Sequence, residues 1–275
     1  MPDPFEDVDA ASPEMIEIIA AALETRAEDS SMLPVLDAYL DALKVPDGGQ
    51  IVDIGSGTGG IARRIADRFP ACSILGVEPS TALTNKAKEL AGNRPNLTFS
   101  IGNGANLALD AACADVVILH TVLSHVPDPK PLVAEATRIL QPGGTLVICD
   151  ADFSKAMMGV VPGDPLGSCA DAFVDGSVTD AWIVGKLKPL VKDFGLTVKD
   201  FNILNRVITS GMGALVWVRM SSTRLVSSGV IGQPLADALE AEYLRRAEAG
   251  LLYGFLPFVT LIAIKPEISL ESVID

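Results

Sequence analysis

Cysteine is sparse and shows no paired spacing: Cys72, Cys113, Cys149 and Cys169 lie far apart, with no Cys-x-x-Cys among them. Neither a disulfide framework nor a zinc site is signalled, and the four read as reduced, mostly buried thiols. Histidine is scarcer still, His120 and His125 being the only two. Positive charge is also short: 21 Lys and Arg face 35 Asp and Glu, a formal net charge of -14. A polyanion would meet net repulsion, so nucleic acid is not an expected partner. The stretch Met1 to Asp7 has neither the basic start nor the apolar run of a signal peptide, so a cytoplasmic location is expected. The longest apolar run, Leu251 to Ile264, covers about 14 residues against the roughly 20 that a membrane helix needs. It reads as a core strand, and no membrane span is expected.

What the chain does have is apolar content, 49%, without repeats or low-complexity tracts, enough for a globule with a large core. Its 275 residues fit one α/β domain with an elaboration. Apolar residues three and four apart behind a serine predict helices over Ser12 to Glu28 and Ser31 to Leu43. Short apolar strands then alternate with amphipathic helices: strands at 50–54, 73–78, 97–101, 114–120 and 144–150, helices near 58–69, 80–91 and 130–140. A helix near 178–194, a strand near 196–207, helices around 210–226 and 234–248 and a last strand at 252–264 follow. The expected fold is a Rossmann-like doubly wound α/β sheet with a helical cap. It is mostly parallel with an antiparallel last strand, in the order 3-2-1-4-5-7-6. The expected divisions are N-terminal helices over 1–45, a cofactor-binding core over 46–152, a lid without clear period over 153–177, and the rest of the sheet with cap elements, about 208–250, over 178–275.

Gly55, Gly57 and Gly59 follow the first strand and open a helix, where bare backbone lets a ligand approach. Gly55, Gly57 and Gly60 also satisfy the G-x-G-x-x-G spacing of a dinucleotide site, with Glu78 near the distance for a ribose-binding acid. Charge separates the two readings. Asp53 would repel a pyrophosphate but attract a cationic ligand.

The segment Val52-Asp53-Ile54-Gly55-Ser56-Gly57-Thr58-Gly59, with Gly76-Val77-Glu78-Pro79-Ser80, Gly102-Asn103-Gly104-Ala105, His120 to Pro129 and Leu140-Gln141-Pro142-Gly143-Gly144, resembles the motif series of class I S-adenosylmethionine-dependent methyltransferases. The likeness is to the small-molecule and quinone-biosynthesis branch, and it covers roughly residues 35–150 closely. It implies S-adenosyl-L-methionine as cofactor, held by Asp53, Gly55, Ser56, Gly57, Gly59, Glu78, Pro79, Asn103, Gly104, His120 and Thr121. Glu78 would take both ribose hydroxyls. Asn103 departs from the acid that many members carry, although its amide oxygen can still accept from the adenine amino group. The Asp/Asn-Pro-Pro-aromatic signature for amino groups on bases is absent, so a small-molecule acceptor is expected. A nicotinamide-dependent oxidoreductase and a binding module without transfer are the rival readings.

Candidate catalytic residues follow from the rule that ligands bind beyond the carboxyl ends of the strands. Those ends carry His120, His125, Asp150 and Asp152. Imidazole suits a general base near neutral pH, so His125 and His120 are the candidates, with Asp150 as an alternative contact to the acceptor. The plainer possibilities are that His120 offers its carbonyl, that His125 packs or caps, and that the acids cap. No metal is expected, since Asp150 and Asp152 lack a third well-placed carboxylate. Trp182, Trp217, Tyr243, Tyr253, Phe255 and Met157, Met158, Met212 and Met220 are candidates for an apolar pocket. Arg206, Arg219 and Arg224 could pair an acidic acceptor, Tyr39 could lie near the methionine end of the cofactor, and a homodimer is compatible with all of this.

Overall fold

The computed structural model describes residues 3–267; Met1, Pro2 and the tail from 268, which belong to the first and last expected divisions, lie outside the described residues. The strands are β1 (Gln50–Ile54), β2 (Ser73–Glu78), β3 (Leu97–Ile101), β4 (Ala114–His120), β5 (Leu140–Ala151), β6 (Met157–Met158), β7 (Thr197–Ile208) and β8 (Gly254–Ile264). The helices are α1 (Pro13–Glu28), α2 (Leu33–Leu40), α3 (Gly60–Arg68), α4 (Thr81–Leu90), α5 (Lys130–Ile139), α6 (Pro165–Ser177), α7 (Leu187–Asp193), α8 (Leu215–Ser227) and α9 (Gln233–Glu248).

All strands join one sheet. β3-β2-β1-β4-β5 are parallel, β8 lies antiparallel beside β5, and β7 pairs antiparallel with the far edge of β8. The expected order therefore holds once the two-residue β6 is set aside. Because β7 occupies one edge of β8 along its whole length, β6, paired to Gly254 and Phe255, must extend the β5 edge. β4 shows why the parallel strands form: Val116, Val117, Ile118 and Leu119 are all buried, as a strand covered on both faces requires.

Two apolar layers sandwich the sheet. One joins α1 to α4 with the cap helices α6 and α8 over Ile51, Ile118 and Val147; the other joins α5 and α7 over Val52, Leu119 and Ile148. Serine caps start two helices, Ser12 Oγ accepting from Met15 N as expected and Ser80 Oγ from Leu83 N, a cap not anticipated. The second N-terminal helix differs from expectation. Ser31 does not cap it; Asp29 accepts from Ser31 N, a single 3-10 turn follows, and α2 begins only at Leu33, just before Pro34. Residues 178–182 likewise precede a 3-10 turn rather than start a helix, and α7 begins at Leu187. Within 153–177 a regular helix is present: α6, capped by Asp164, buries Leu166, Cys169, Ala170 and Phe173 at helical spacing.

Candidate active site

β1 delivers the glycine loop to the carboxyl edge of the sheet, where Gly55 N and Ser56 N both donate to Val77 O of β2. Gly59, at φ +80°, caps α3, and a Cβ there would lie 2.5 Å from the Phe99 ring. Only glycine meets both conditions. Glu78 closes the loop from β2: its Oε2 accepts from Gly57 N at 2.9 Å and its Oε1 from Ser80 N at 3.0 Å. Burial raises its pKa, against the backbone bonds that favour the carboxylate. Each oxygen is oriented and keeps accepting capacity. Asn103 lies at the same edge, its Oδ1 accepting from Ala105 N at 3.0 Å, so the amide oxygen expected to face an adenine is already turned to its own backbone.

A cavity of about 320 Å³ opens over these groups. Gly55, Gly57, Glu78, Pro79, Asn103, Gly104 and Thr121 line one half; His125, Phe153, Phe173, Trp217, Leu256 and Phe258 line the other. Phe5, Glu6 and Val8 of the N-terminal segment, with Leu23 and Arg26 of α1, complete the wall. Thr121, in the left-handed region at φ +53°, is strained where the two halves meet, its hydroxyl donating to His120 O at 2.7 Å.

Asp53, Ser56 and His120 face a different, smaller space of about 30 Å³ beneath the loop, shared with Arg26, Thr58 and α2 side chains. Asp53 is 1% exposed and its Oδ2 has no partner among the described residues. Burial, and then the charge of Glu78, push its pKa up to about 7. His120 is buried with Nδ1 3.1 Å from Tyr39 Oη and Nε2 unpartnered. Burial and the nearby Arg26 drive its pKa down to about 3. The expectation that His120 could serve as a base is corrected: so weakly basic an imidazole, outside the lining of the larger cavity, is a poor proton acceptor. Tyr39 lies against it, the two rings 6.0 Å apart between centroids.

Asp150 is corrected as well. Completely buried, it accepts from Leu123 N and Ser124 N through Oδ2 and from Ala151 N through Oδ1, and it lines neither cavity. Its carboxylate pins the 3-10 turn Leu123–His125 instead of meeting an acceptor. Asp152 bonds Ser154 Oγ and stays out of the lining too.

His125 does reach the larger cavity. Its Nδ1 lies 2.8 Å from Asp3 Oδ2, its ring packs against Phe5 at 4.7 Å between centroids, and Phe153 meets it edge-on. Asp3 Oδ2 also accepts from Thr179 N and Oγ1 at 3.0 Å each. A carboxylate on Nδ1 selects the tautomer that carries the proton there and leaves Nε2 free to accept. Nothing near Asp3 in the sequence signals this pairing. Arg26 was equally silent, since it reads as an ordinary polar position of an amphipathic helix.

The aromatic and arginine candidates divide sharply. Trp217 lines the cavity, stacked on Phe173 at 6.0 Å, whereas Trp182, Tyr253, Met157 and Met212 are exposed and the Tyr243 hydroxyl is used between Ala214 N and Gly211 O. Phe255, Met158 and Met220 stay off its wall. Arg206 lines the cavity, paired with Asp29 and Ser31; Arg219 pairs Glu240 at the surface and Arg224 donates to Ala172 O.

The family described as methyltransferase domain matches residues 52–148, the stretch that holds the glycine loop, Glu78 and His125. Over that stretch the chain is similar to class I S-adenosylmethionine-dependent methyltransferases. It is similar to a trans-aconitate 2-methyltransferase of Variovorax paradoxus, 30% identical over 127 residues, 46% of this chain and 48% of that protein. A demethylmenaquinone methyltransferase of Tropheryma whipplei is 29% identical over 120 residues, 44% of this chain and 48% of the relative. The chain spans about half the length of these curated relatives. Among solved structures, the phosphoethanolamine N-methyltransferase 2 of Haemonchus contortus shares the fold at TM-score 0.59 and 19% identity, covering 96% of this chain and 61% of the other. The cyclase SpnF shares it at TM-score 0.60 and 19% identity over 98% and 99% of the two chains. The methyltransferase match ends before the cap, so α6, α8 and the cavity residues Phe153, Phe173, Trp217, Leu256 and Phe258 lie beyond it.

Proposed function

We propose that this protein binds S-adenosyl-L-methionine across its glycine loop and transfers the methyl group to O, N or C of a small, partly apolar metabolite. One observation carries the reading: Asp53, a buried acid with no partner among the described residues, sits under a loop whose other acid, Glu78, is held with accepting capacity to spare. A cationic ligand with a ribose satisfies both, whereas a pyrophosphate at the loop would be repelled by Asp53. In this reading residues 46–152 hold the cofactor, residues 1–45 and about 208–250 cover it, and 153–177 bound the acceptor.

When bound, the cofactor supplies a methyl carbon activated by positive sulfur. The protein's part is alignment and, for an acceptor that must lose a proton, His125 Nε2 takes it while Asp3 balances the imidazolium. Phe153, Phe173, Trp217 and Phe258 keep that half of the cavity apolar, which suits a ring or short hydrocarbon. The relatives named for trans-aconitate and demethylmenaquinone support a small-molecule acceptor.

A second reading is a binding or non-transferring protein on the same fold, favoured by the likeness to a cyclase over nearly the whole chain. Calorimetry with S-adenosylmethionine and S-adenosylhomocysteine, and turnover of labelled methyl groups in a metabolite extract, separate the outcomes. Absence of binding at millimolar concentration overturns both readings; binding without turnover overturns the first.

A further inference from the structure

One side chain is out of character in the cavity wall beyond the methyltransferase match. There β7, β8 and α8 contribute Val216, Trp217, Leu256 and Phe258, and with them Arg206, only 2% exposed. Register places it: Arg206 of β7 pairs with Leu256 of β8, so both side chains rise from the face that the cap covers. Its Nε donates to Ser31 Oγ and its Nη2 to Asp29 Oδ2, while Nη1 makes no hydrogen bond among the described residues. The head is fixed in place, since a Cβ at Gly213, in the loop before α8, would collide with both Arg206 and Asp29.

Asp29 does not cancel the charge of this wall. Burial works against its carboxylate, but hydrogen bonds from Ser31 and the charge of Arg206 hold its pKa below the usual value. That single negative charge faces two guanidiniums, because Arg26 lines the same cavity; burial, and then the repulsion of Arg206, bring the Arg26 pKa only down to about 10. The acids on the cavity wall, Glu6 and Glu78, pair with neither arginine among the described residues. The cation also stands apart from His125. From His125 an aromatic wall runs through Phe153 and Phe173 to Trp217 in centroid steps of 6.0, 6.2 and 6.0 Å. β4, which leads into the His125 turn, and β7, which carries Arg206, are three strand spacings apart, about 14 Å.

We infer that Arg206 anchors a carboxylate of the acceptor, and that the acceptor is an apolar acid which keeps that charge when it is methylated. The inference rests on the methyl-transfer reading above and names its substrate class. A guanidinium held in an apolar wall pairs strongly with a carboxylate, and Phe173 and Trp217 supply the surface for the ring or hydrocarbon between the two ends. The reacting atom then lies toward His125. There the sulfur–methyl bond breaks as the methyl–acceptor bond forms, any proton the acceptor loses goes to His125 Nε2, and the carboxylate at Arg206 is unchanged.

The experiment uses the full chain with labelled S-adenosylmethionine and a metabolite extract split by anion exchange, the retained fraction being assayed with and without prior phosphatase treatment. Turnover should come from the retained fraction, survive phosphatase, and give a labelled product that is itself retained on the exchanger. Arg206→Met should slow turnover at limiting acceptor by at least about 30-fold, with affinity for S-adenosylhomocysteine within about threefold of wild type and Arg206→Lys between the two. The fractionation arms need no variant, so they decide the matter even where loss of the Asp29 pair unfolds the cap. Turnover from the unretained fraction overturns the inference, as does its loss on phosphatase treatment, a product that has lost its charge, or a wild-type rate in Arg206→Met. Binding of S-adenosylhomocysteine with no turnover from any fraction instead overturns the reading on which it rests.

Discussion

Changing pH should move cofactor affinity through a single group, Asp53. In the free protein burial and Glu78 push its carboxyl to about 7, whereas an ammonium placed beside Oδ2 requires the ionised form. If the bound pKa falls well below the working range, affinity follows the ionised fraction. S-adenosylhomocysteine should then bind about tenfold more weakly at pH 6 than at pH 8, and about 30-fold more weakly at pH 5.5. At pH 6.5 binding should release about three-quarters of a proton, read as the dependence of calorimetric enthalpy on buffer ionisation. Asp53→Asn should flatten the pH profile and bind more weakly at pH 8. The sign for stability is opposite. Because the folded pKa is raised above the ordinary value of 3.8, the folded state holds this proton more tightly, and the associated stability is lost as pH rises through about 7. That loss is of order 4 kcal/mol above pH 7. Ligand-free Asp53→Asn should therefore be more resistant to urea than wild type at pH 8, with the advantage vanishing near pH 4. Equal affinity of wild type at pH 8 and pH 6, or a variant that keeps the slope, would refute the reasoning.

Asp3→Ala and His125→Ala should each slow labelled methyl transfer by about 10- to 100-fold in an extract that supports turnover, with S-adenosylhomocysteine affinity near wild type. The double variant should be no slower than His125→Ala alone, and full additivity would show that the pair does not act as a unit. Gly59→Ala places a side chain at φ +80° and 2.5 Å from Phe99, and should destabilise the fold by about 2–4 kcal/mol in urea. A wild-type denaturation midpoint would contradict that geometry. Tyr39→Phe removes the only partner of His120 Nδ1 among the described residues and should cost about 1–2 kcal/mol by the same measurement, while Phe at the exposed Leu244 of α9 should cost almost nothing.

From β1 to β5 the fold was readable because continuous apolar strands and short turns leave few alternatives; Val116 to Leu119 is an example. The last strand was also readable, as a run too short for a membrane. α6 was hidden because its inner face is built partly from small residues, including Cys169 and Ala170, with Gly167 and Gly176 adding turn-like composition. Gly176 has a tertiary reason that no local pattern carries, since the Arg224 guanidinium lies where a Cβ would stand. Asp3 was illegible for a similar reason: it meets His125 only after the N-terminal segment has crossed the cavity, pinned further on by Asp9 to Ser80 and Thr81 at the start of α4.

The acids at the strand ends could have been separated by a signal the sequence contains. Alternation assigns successive residues of a strand to opposite faces, whatever lies beyond its end. On β5, Val147, Cys149 and Ala151 pack toward the layer of α1, α2 and the cap, while Leu146 and Ile148 pack toward α5 and α7. Asp150 shares parity with Ile148 and so turns from the cavity to the backbone of the Leu123–His125 turn. Asp53 has the parity of Ile51, which lies in the first layer, and His120 that of Ile118, so both face α1 and α2. Position at the carboxyl edge selects residues near a site; parity decides which of them enter it. By that rule the strand-borne acid that faces the small cavity under α1 is Asp53, and Asp150 is left to hold the turn that carries His125.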